Sequence, residues 1–229
     1  PSVSEFQRQE AKKTALAGSF NYRTIDTDEL DMPDYRANPQ NRCYFCKSEL
    51  YGKLAEIAVA EKIEFVLDGT NADDTGDHRP GRTAAEERKV LSPLVEIGMT
   101  KDDIRRLSKL HGLSSWDKPA SPCLSSRIAY GIPVTIERLS QVERGENLLR
   151  LEGFTEFRVR VHGDLVRIEI ARDELERALD LVMVDRLTSA FKKLGFKYVT
   201  LDLEGFRSGA MNVEPAIRRF KDKGQLEKL

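Results

Sequence analysis

The hydrophobic pattern changes near residue 130, and this change constrains the fold more than any other feature of the sequence. Before it, apolar stripes with helical spacing alternate with short apolar segments typical of strands. The pattern predicts helices at 4–17, 44–61 and 100–112, and strands at 22–25 and 64–67. Such alternation favours a parallel sheet flanked by helices, so we predict an α/β domain over residues 1–130.

After this point the order of the elements is different. We predict helices at 135–150 and 172–194, and strands at 157–161, 165–170 and 197–203. His162, Gly163 and Asp164 form a hairpin turn between the first two strands. The resulting α-β-β-α-β order predicts a smaller α+β domain over residues 131–229, and the charged end at 218–229 is predicted to be a solvated helix or tail.

Composition narrows the classes of function. Lysine and arginine total 37 against 38 acidic residues, so the basic excess of a general nucleic-acid binder is absent. No apolar run is long enough to cross a bilayer and no leader precedes the chain, which predicts a soluble, cytoplasmic protein. Three cysteines do not suit a disulfide framework, so reduced thiols that serve a metal or a reaction are expected.

The cysteines carry the sharpest chemical signal. Cys43 and Cys46 are two residues apart at the start of a predicted helix, a spacing that lets both thiolates face one metal centre, and Cys123 lies in a loop rich in turn formers. A structural zinc needs a fourth ligand, and no histidine is near a cysteine in sequence. Three thiolates therefore suit a 4Fe–4S cluster with one open iron. Buried apolar cysteines, or zinc in a non-catalytic protein, remain alternatives.

A polar loop follows the predicted strand at 64–67, where open parallel sheets place their nucleotide-handling loops. Its candidate nucleotide contacts are Asp68, Gly69, Asn71 and Asp73. The same residue types also form ordinary turns, so both interpretations stay open. The charged residues at 77–82 could meet phosphates or simply face solvent.

The second domain contains a candidate anion site. Arg158 and Arg160 alternate along one strand and so point to one face, Glu146 precedes them, and Arg207 lies in a loop flanked by glycines. Guanidinium groups match phosphate oxygens. A solvated sheet face would look similar in sequence.

Five strings carry a resemblance that runs over essentially the whole chain. They are NRCYFCK at 41–47, LDGTNADD at 67–74, RPG at 79–81, ASPCLSSR at 120–127 and LDLEGFRSG at 201–209. In this order and combination the chain resembles the LarE family of ATP-dependent sulfur transferases, which act in the biosynthesis of the nickel-pincer cofactor.

The resemblance implies a PP-loop ATP pyrophosphatase domain and a smaller domain that promotes assembly into a homo-oligomer such as a hexamer. It also implies that ATP with Mg²⁺ activates a carboxylate of pyridinium-3,5-biscarboxylic acid mononucleotide, which then becomes a thiocarboxylate. Members that resemble this chain hold a 4Fe–4S cluster on three cysteines, here Cys43, Cys46 and Cys123. Pro122 aligns with the cysteine that other members sacrifice as their sulfur source, so self-sacrifice is not expected.

The resemblance also implies roles for residues outside the cysteines. Positions around the substrate phosphate or a metal correspond to Glu146, Arg158, Arg160 and Arg207. Residues beside the third cysteine, expected to orient substrate or cluster, are Ser125, Ser126 and Arg127.

The chain departs from the family at its phosphate loop. The string Ser-Gly-Gly-x-Asp-Ser, whose amides would cradle pyrophosphate, is absent from the 229 residues. The chain opens with Pro1, and Ser4 stands where a helix cap is expected. We therefore expect a fragment that lacks the first strand, loop and helix of the domain, or a chain to which a separate polypeptide supplies them. A transfer-RNA-thiolating PP-loop enzyme with three cysteines is the alternative within the same class of enzyme.

Overall fold

The computed structural model describes residues 2–76, 80–118 and 121–207. The predicted charged end at 218–229 and the loop charges at 77–79 lie outside these ranges. The chain divides into two compact units, Pro1–Ser140 and Gln141–Leu229. The division falls later than residue 130, and the functional division into a nucleotide domain and a substrate domain stays a prediction.

Helices dominate the first unit. They are α1 (Glu5–Ala17), α2 (Pro33–Arg36), α3 (Arg42–Glu61), α4 (Pro80–Glu87), α5 (Pro93–Glu96) and α6 (Lys101–Leu110), with 3₁₀ turns at Glu29–Asp31, Ala72–Gly76 and Leu124–Arg127. The predicted helices at 4–17, 44–61 and 100–112 are confirmed. Ser4 and Thr100 cap their helices through capping boxes, as the sequence signals indicated.

The predicted strands of this unit are the main error of the sequence analysis. Residues 22–25 form no strand, and 64–67 contribute a single parallel bridge between Leu67 and Leu91. A strand needs backbone hydrogen bonds to a neighbouring strand, and within the described residues the backbone of 22–25 makes none to another backbone segment. Phe65 and Leu67 are each 58% exposed, so this extended segment is not covered on both faces as a strand of a parallel sheet would be.

A small apolar core holds α3 against α4. Tyr51, Ala84, Ala85 and Val90 are buried in it. Small residues on α4 let the two helix backbones approach closely, and Leu54 of α3 packs against the same cluster. This packing holds α3, which carries two of the three cysteines, in a defined position in the unit.

The second unit has the predicted α-β-β-α-β order. Its elements are the greater part of α7 (Ile136–Leu151), whose first turn belongs to the first unit, and then β1 (Phe157–His162), β2 (Leu165–Ile170), α8 (Leu175–Ala178), α9 (Leu181–Lys193) and β3 (Tyr198–Leu201). Strands β1 and β2 pair antiparallel and β2 and β3 pair parallel, in the order β1-β2-β3. The molecule is thus a mixed α/β protein with a small sheet.

The predicted helix at 172–194 is interrupted. A 3₁₀ turn at Arg172–Glu174 and the short α8 precede α9. The interruption falls at Asp180, whose carboxylate accepts hydrogen bonds from the amides of Val182 and Met183 and so begins a new helix. The apolar spacing continues across this cap, which is why the pattern predicted one helix.

The sheet has an apolar face and a polar face. Val159, Val161, Val166 and Ile168 alternate with polar residues and are buried. The helices pack closely on the apolar face at Gly145 of α7, where an added Cβ would lie 2.7 Å from a ring carbon of Phe191 and 3.3 Å from Val159. The other face presents the predicted arginines.

Within the described part of the chain, no helix combines the length and the apolar character that crossing a membrane requires.

Replacing Gly145 with alanine tests this close packing. We expect Gly145→Ala to lower the free energy of unfolding by about 1–3 kcal/mol, because overpacking outweighs the ~0.5–1 kcal/mol that alanine gains in a helix. Urea unfolding followed by circular dichroism measures the change. Gly52→Ala in α3 is the control, since nothing lies closer than 3.9 Å to an added Cβ there. Equal stabilisation by both substitutions would contradict the packing described for Gly145.

Candidate functional site

The structure brings the three predicted cysteines into one neighbourhood of the first unit. Cys43 and Cys46 lie at the beginning of α3, and Cys123 directly precedes the 3₁₀ turn at Leu124–Arg127. The pKa of the Cys46 thiol is raised to about 12, first by burial and then by the negative charge of Cys123. Glu29 and Cys43 raise it as well. The thiols are therefore close enough to affect one another's ionisation.

The thiols do not form a site for a single metal ion. Among the described residues, no group of three His, Cys, Asp or Glu side chains could hold one ion. In a cubane cluster each thiolate binds a different iron, so the sulfurs need not converge on one point. Three soft thiol donors suit such a cluster, whereas a structural zinc site would need a fourth ligand.

Ser126 and Arg127 act on the backbone of the Cys123 turn. The Cys123 carbonyl accepts hydrogen bonds from the Ser126 hydroxyl at 2.7 Å and from the Arg127 guanidinium at 3.0 Å. Arg127 is buried and also donates to the Pro122 carbonyl. Both residues were predicted to orient substrate or cluster, and these contacts orient the turn that carries the third cysteine.

Ser125 belongs to a buried chain of hydroxyl groups. The Tyr35 hydroxyl lies 2.6 Å from the Ser125 hydroxyl and 2.7 Å from the Ser2 hydroxyl, which donates to Glu29 at 2.9 Å. The pKa of Tyr35 is raised to about 12 by burial, so its hydroxyl stays neutral and both donates and accepts. The Ser125 hydroxyl thus faces the protein interior.

Arg42, next to Cys43, reaches the same turn from α3. Its guanidinium donates to the Ser125 carbonyl at 2.9 Å and to the side chain of Asn38. The Asn38 amide in turn donates to the carbonyls of Ile128, Ala129 and Ile132. One buried guanidinium therefore links the helix of two cysteines to the turn of the third.

Close packing explains why the RPG string has a glycine at position 81. A Cβ at this position would lie 3.1 Å from Lys47 and 3.9 Å from the Cβ of Cys43. Glycine lets the beginning of α4 lie directly against the first cysteine.

Hydrogen bonds from other protein groups hold the predicted nucleotide loop in place. Asp68 accepts hydrogen bonds from the Tyr51, Thr70 and Ser92 hydroxyls and from the Thr70 amide. Burial acts to raise the pKa of Asp68, but these hydrogen bonds outweigh it and lower the pKa. The Asp68 carboxylate is thus occupied by the protein, which suits a role in shaping the loop.

The rest of the loop is connected to α6. The Asp73 carboxylate accepts from the Lys101 amide at 2.8 Å, and Asn71 bonds to Asp74. Among the described residues, no atom beyond the chain neighbours of Gly69 lies within 4 Å of a Cβ built there, so the backbone is open on that side. Of the four predicted contacts, Gly69 and Asp73 are exposed.

The arginines of the second unit share the polar face of its sheet with a buried carboxylate. Arg160 donates through Nε to both oxygens of Glu169, each at 3.1 Å, and Arg167 donates to Glu169 at 2.9 Å. Glu169 is fully buried and Arg160 is 6% exposed. Charged groups are costly to bury unless they are paired, so this carboxylate holds the two guanidinium groups in place.

The remaining predicted residues lie in the same unit. The Arg158 guanidinium lies over the Phe206 ring at 4.7 Å, and Arg207 forms ion pairs with Glu204 at 2.5 Å and Asp202 at 4.0 Å. Glu146 is buried on α7 near the Val159 amide. The cysteines belong to the first unit and these arginines belong to the second.

Several residues that shape these sites were not predicted from the sequence. Arg167 and Glu169 alternate on β2 as Arg158 and Arg160 do on β1, a signal that was available. Tyr35 and Asn38 lie between the predicted strand at 22–25 and the predicted helix at 44–61, and no spacing marked them.

These features define a mixed α/β protein with grouped thiols in one unit and a buried arginine–carboxylate cluster in the other. No family model matches the sequence. The chain is 39% identical over 208 residues to pyridinium-3,5-bisthiocarboxylic acid mononucleotide synthase of Lactiplantibacillus plantarum, covering 91% of this chain and 74% of that protein.

Two further relatives have no assigned activity in their names. Protein slr1717 of Synechocystis is 44% identical, over 93% of this chain and 79% of its own length. Protein MJ0830 of Methanocaldococcus jannaschii is 31% identical, over 91% of this chain and 79% of its own length. The chain belongs to the LarE family, the family of the Lactiplantibacillus synthase.

Removing the central carboxylate of the second unit tests its structural role. We expect Glu169→Gln to lower the free energy of unfolding by about 3–5 kcal/mol, because two guanidinium groups lose their buried counter-charge. Glu204→Gln is the control, since its ion pair is exposed and is expected to contribute at most about 1 kcal/mol. Urea unfolding of both variants measures the difference, and similar small losses would contradict the role assigned to Glu169.

His162 predicts a pH dependence of stability. Its pKa is lowered by burial and by the positive charges of Arg167 and Arg160, so the unfolded chain binds a proton at a higher pH than the folded chain does. Stability should therefore fall as the pH drops below the ordinary histidine value of about 6.5 towards the lowered pKa. Thermal unfolding between about pH 7 and pH 5 should show a shallower loss for His162→Gln than for wild type. His111→Gln, at an exposed position, should follow wild type.

Proposed function

We propose that this protein inserts sulfur into pyridinium-3,5-biscarboxylic acid mononucleotide, converting a carboxylate into a thiocarboxylate. The observation that carries the proposal is the grouping of Cys43, Cys46 and Cys123 in one unit of a LarE family member. The relative's name, a bisthiocarboxylic acid mononucleotide synthase, supplies the substrate class.

The proposed reaction replaces oxygen by sulfur in two steps. ATP with Mg²⁺ activates the carboxylate as an acyl adenylate and releases pyrophosphate. Sulfide then forms a bond to the activated carbon while the carbon–oxygen bond to AMP breaks, and AMP leaves. Activation matters because a carboxylate oxygen is a poor leaving group, whereas AMP is a good one.

The three cysteines are proposed to hold a 4Fe–4S cluster, which when bound would supply sulfide at its open iron. The protein's own part is to present three thiolates together. Cys43 and Cys46 both lie at the amino end of α3, one turn of the helix apart. Ser126 and Arg127 hold the backbone that carries Cys123.

The arginine face of the second unit is proposed to bind the phosphate of the mononucleotide. Arg158, Arg160 and Arg207 supply guanidinium groups, and Glu169 orients Arg160 before any ligand arrives. Binding the remote phosphate would orient the reacting carboxylate and so contribute to the rate. Glu146, buried behind β1, is proposed to support this face.

Binding of ATP is a further part of the proposal. The 229 residues contain no Ser-Gly-Gly-x-Asp-Ser string, and Asp68 is occupied by hydrogen bonds. We propose that the backbone at Gly69 approaches the nucleotide, and that the working enzyme is a cytoplasmic homo-oligomer such as a hexamer. Equilibrium dialysis with labelled ATP and sedimentation analysis test these points separately from the thiol site.

The metal content of protein purified without oxygen tests the central claim. We expect about four irons and about four acid-labile sulfides per chain. Zinc without labile sulfide would instead favour a non-catalytic metal-binding protein. With substrate and ATP, mass spectrometry should then detect the replacement of oxygen by sulfur in the mononucleotide.

Single substitutions of the cysteines test the ligand set. Cys43→Ser, Cys46→Ser and Cys123→Ser should each lower bound iron from about four to below about one per chain, because serine is a poor ligand for iron in such clusters. Ala60→Ser, at an exposed position of the same helix, is the control and should retain iron. A Cys123 variant that keeps its iron and its sulfide would overturn the three-cysteine site.

A further inference from the structure

The turn that carries Cys123 is held from two sides through one residue, Ser125. Its hydroxyl bonds to Tyr35 at 2.6 Å, and its carbonyl accepts from Arg42 at 2.9 Å. Ser125 and Tyr35 are almost completely buried. A turn this short has few backbone hydrogen bonds of its own, so contacts from outside decide how firmly it is held.

The buried carboxylate sets the direction of the hydroxyl chain. Glu29 accepts from Ser2, so the Ser2 hydroxyl accepts from Tyr35, and the Tyr35 hydroxyl accepts from Ser125. Thr27 also donates to Glu29 at 2.5 Å, which holds the end of the chain. The Ser2 and Tyr35 hydroxyls each donate one hydrogen bond and accept another, and hydrogen bonds that end on a charged group are the stronger kind.

Removing the Tyr35 hydroxyl would interrupt this chain in its middle. The Ser125 hydroxyl would lose its acceptor and Ser2 would lose its donor, in a region that water does not reach. The packing of the ring would remain. The missing oxygen would therefore loosen the turn without leaving a large cavity.

We propose that Tyr35 is a positioning residue that holds the Cys123 turn against the beginning of α3. It works together with Arg42, which joins that turn to the helix of Cys43 and Cys46 from the other side. The Tyr35 hydroxyl bonds to the hydroxyls of Ser2 and Ser125. Its contribution is to keep the third thiol near the other two before any cluster is assembled, and this use of the site rests on the function proposed above.

Hydrogen exchange of the apoprotein tests the positioning without any metal. The informative amides are those of Leu124, Ser126 and Ile128, which bond to the Ser2, Cys123 and Ser125 carbonyls. We expect Tyr35→Phe to speed exchange of a peptide over 121–130 by about tenfold, because a buried hydrogen bond is lost. The matched control is Tyr51→Phe, another buried tyrosine, whose hydroxyl bonds to Asp68.

A double-mutant cycle distinguishes a local effect on the Cys123 turn from a general loss of stability. Ser125→Ala removes the same hydrogen bond from its other end. In the Tyr35→Phe/Ser125→Ala double variant, amide exchange of this peptide should be no faster than in the faster single variant. Both substitutions remove the same hydrogen bond between Tyr35 and Ser125. Additive effects, or equal acceleration by Tyr51→Phe, would overturn the positioning role.

The rate of iron release tests whether this positioning helps the protein to retain the metal. In protein loaded with iron and sulfide, a chelator should remove iron about five to ten times faster from Tyr35→Phe than from wild type, with Tyr51→Phe unchanged. Equal release rates in all three would overturn the link between Tyr35 and metal retention. A wild-type protein that binds no iron would overturn the proposed function, and hydrogen exchange would still decide the role of Tyr35.

Discussion

The grouping of three thiols around the partly buried Cys46 is the constraint around which the first unit is arranged. Burial, the neighbouring thiols and the Glu29 carboxylate together raise the pKa of Cys46 to about 12, and Lys47 acts in the opposite direction. The Cys46 thiol is therefore protonated near neutral pH, and additional positive charge would be needed to favour its thiolate. In the proposed function, a metal centre bound by the three cysteines would supply that charge.

Hydrogen bonds position the segments that carry the thiols. An apolar cluster between α3 and α4 contributes to the position of α3. Around Cys123 the work of positioning falls to Tyr35, Arg42 and Arg127, whose bonds end on backbone or hydroxyl oxygens of one short turn. The second unit uses the same device, since buried Glu169 orients Arg160 and Arg167.

Helices were predicted more reliably than strands for a physical reason. Helices α1 and α6 depend on local signals, and their caps Ser4 and Thr100 lie within four residues of the bonds they make. The segment at 64–67 has the composition of a strand, but a strand forms only where another segment pairs with it, and here pairing is limited to the bridge from Leu67 to Leu91. In the second unit the hairpin turn joins the partners directly, so β1 and β2 were predicted correctly.

The sequence by itself determined the chemical types: three cysteines with a two-residue spacing, alternating arginines on a strand, and motifs that indicate the LarE family. Only the tertiary structure decided which groups support them. Tyr35 and Ser125 are separated by ninety positions and Arg160 and Glu169 by nine, and no local periodicity relates either pair. Their contacts depend on how chain segments pack, because a side-chain hydrogen bond needs ångström-level approach that spacing alone does not specify.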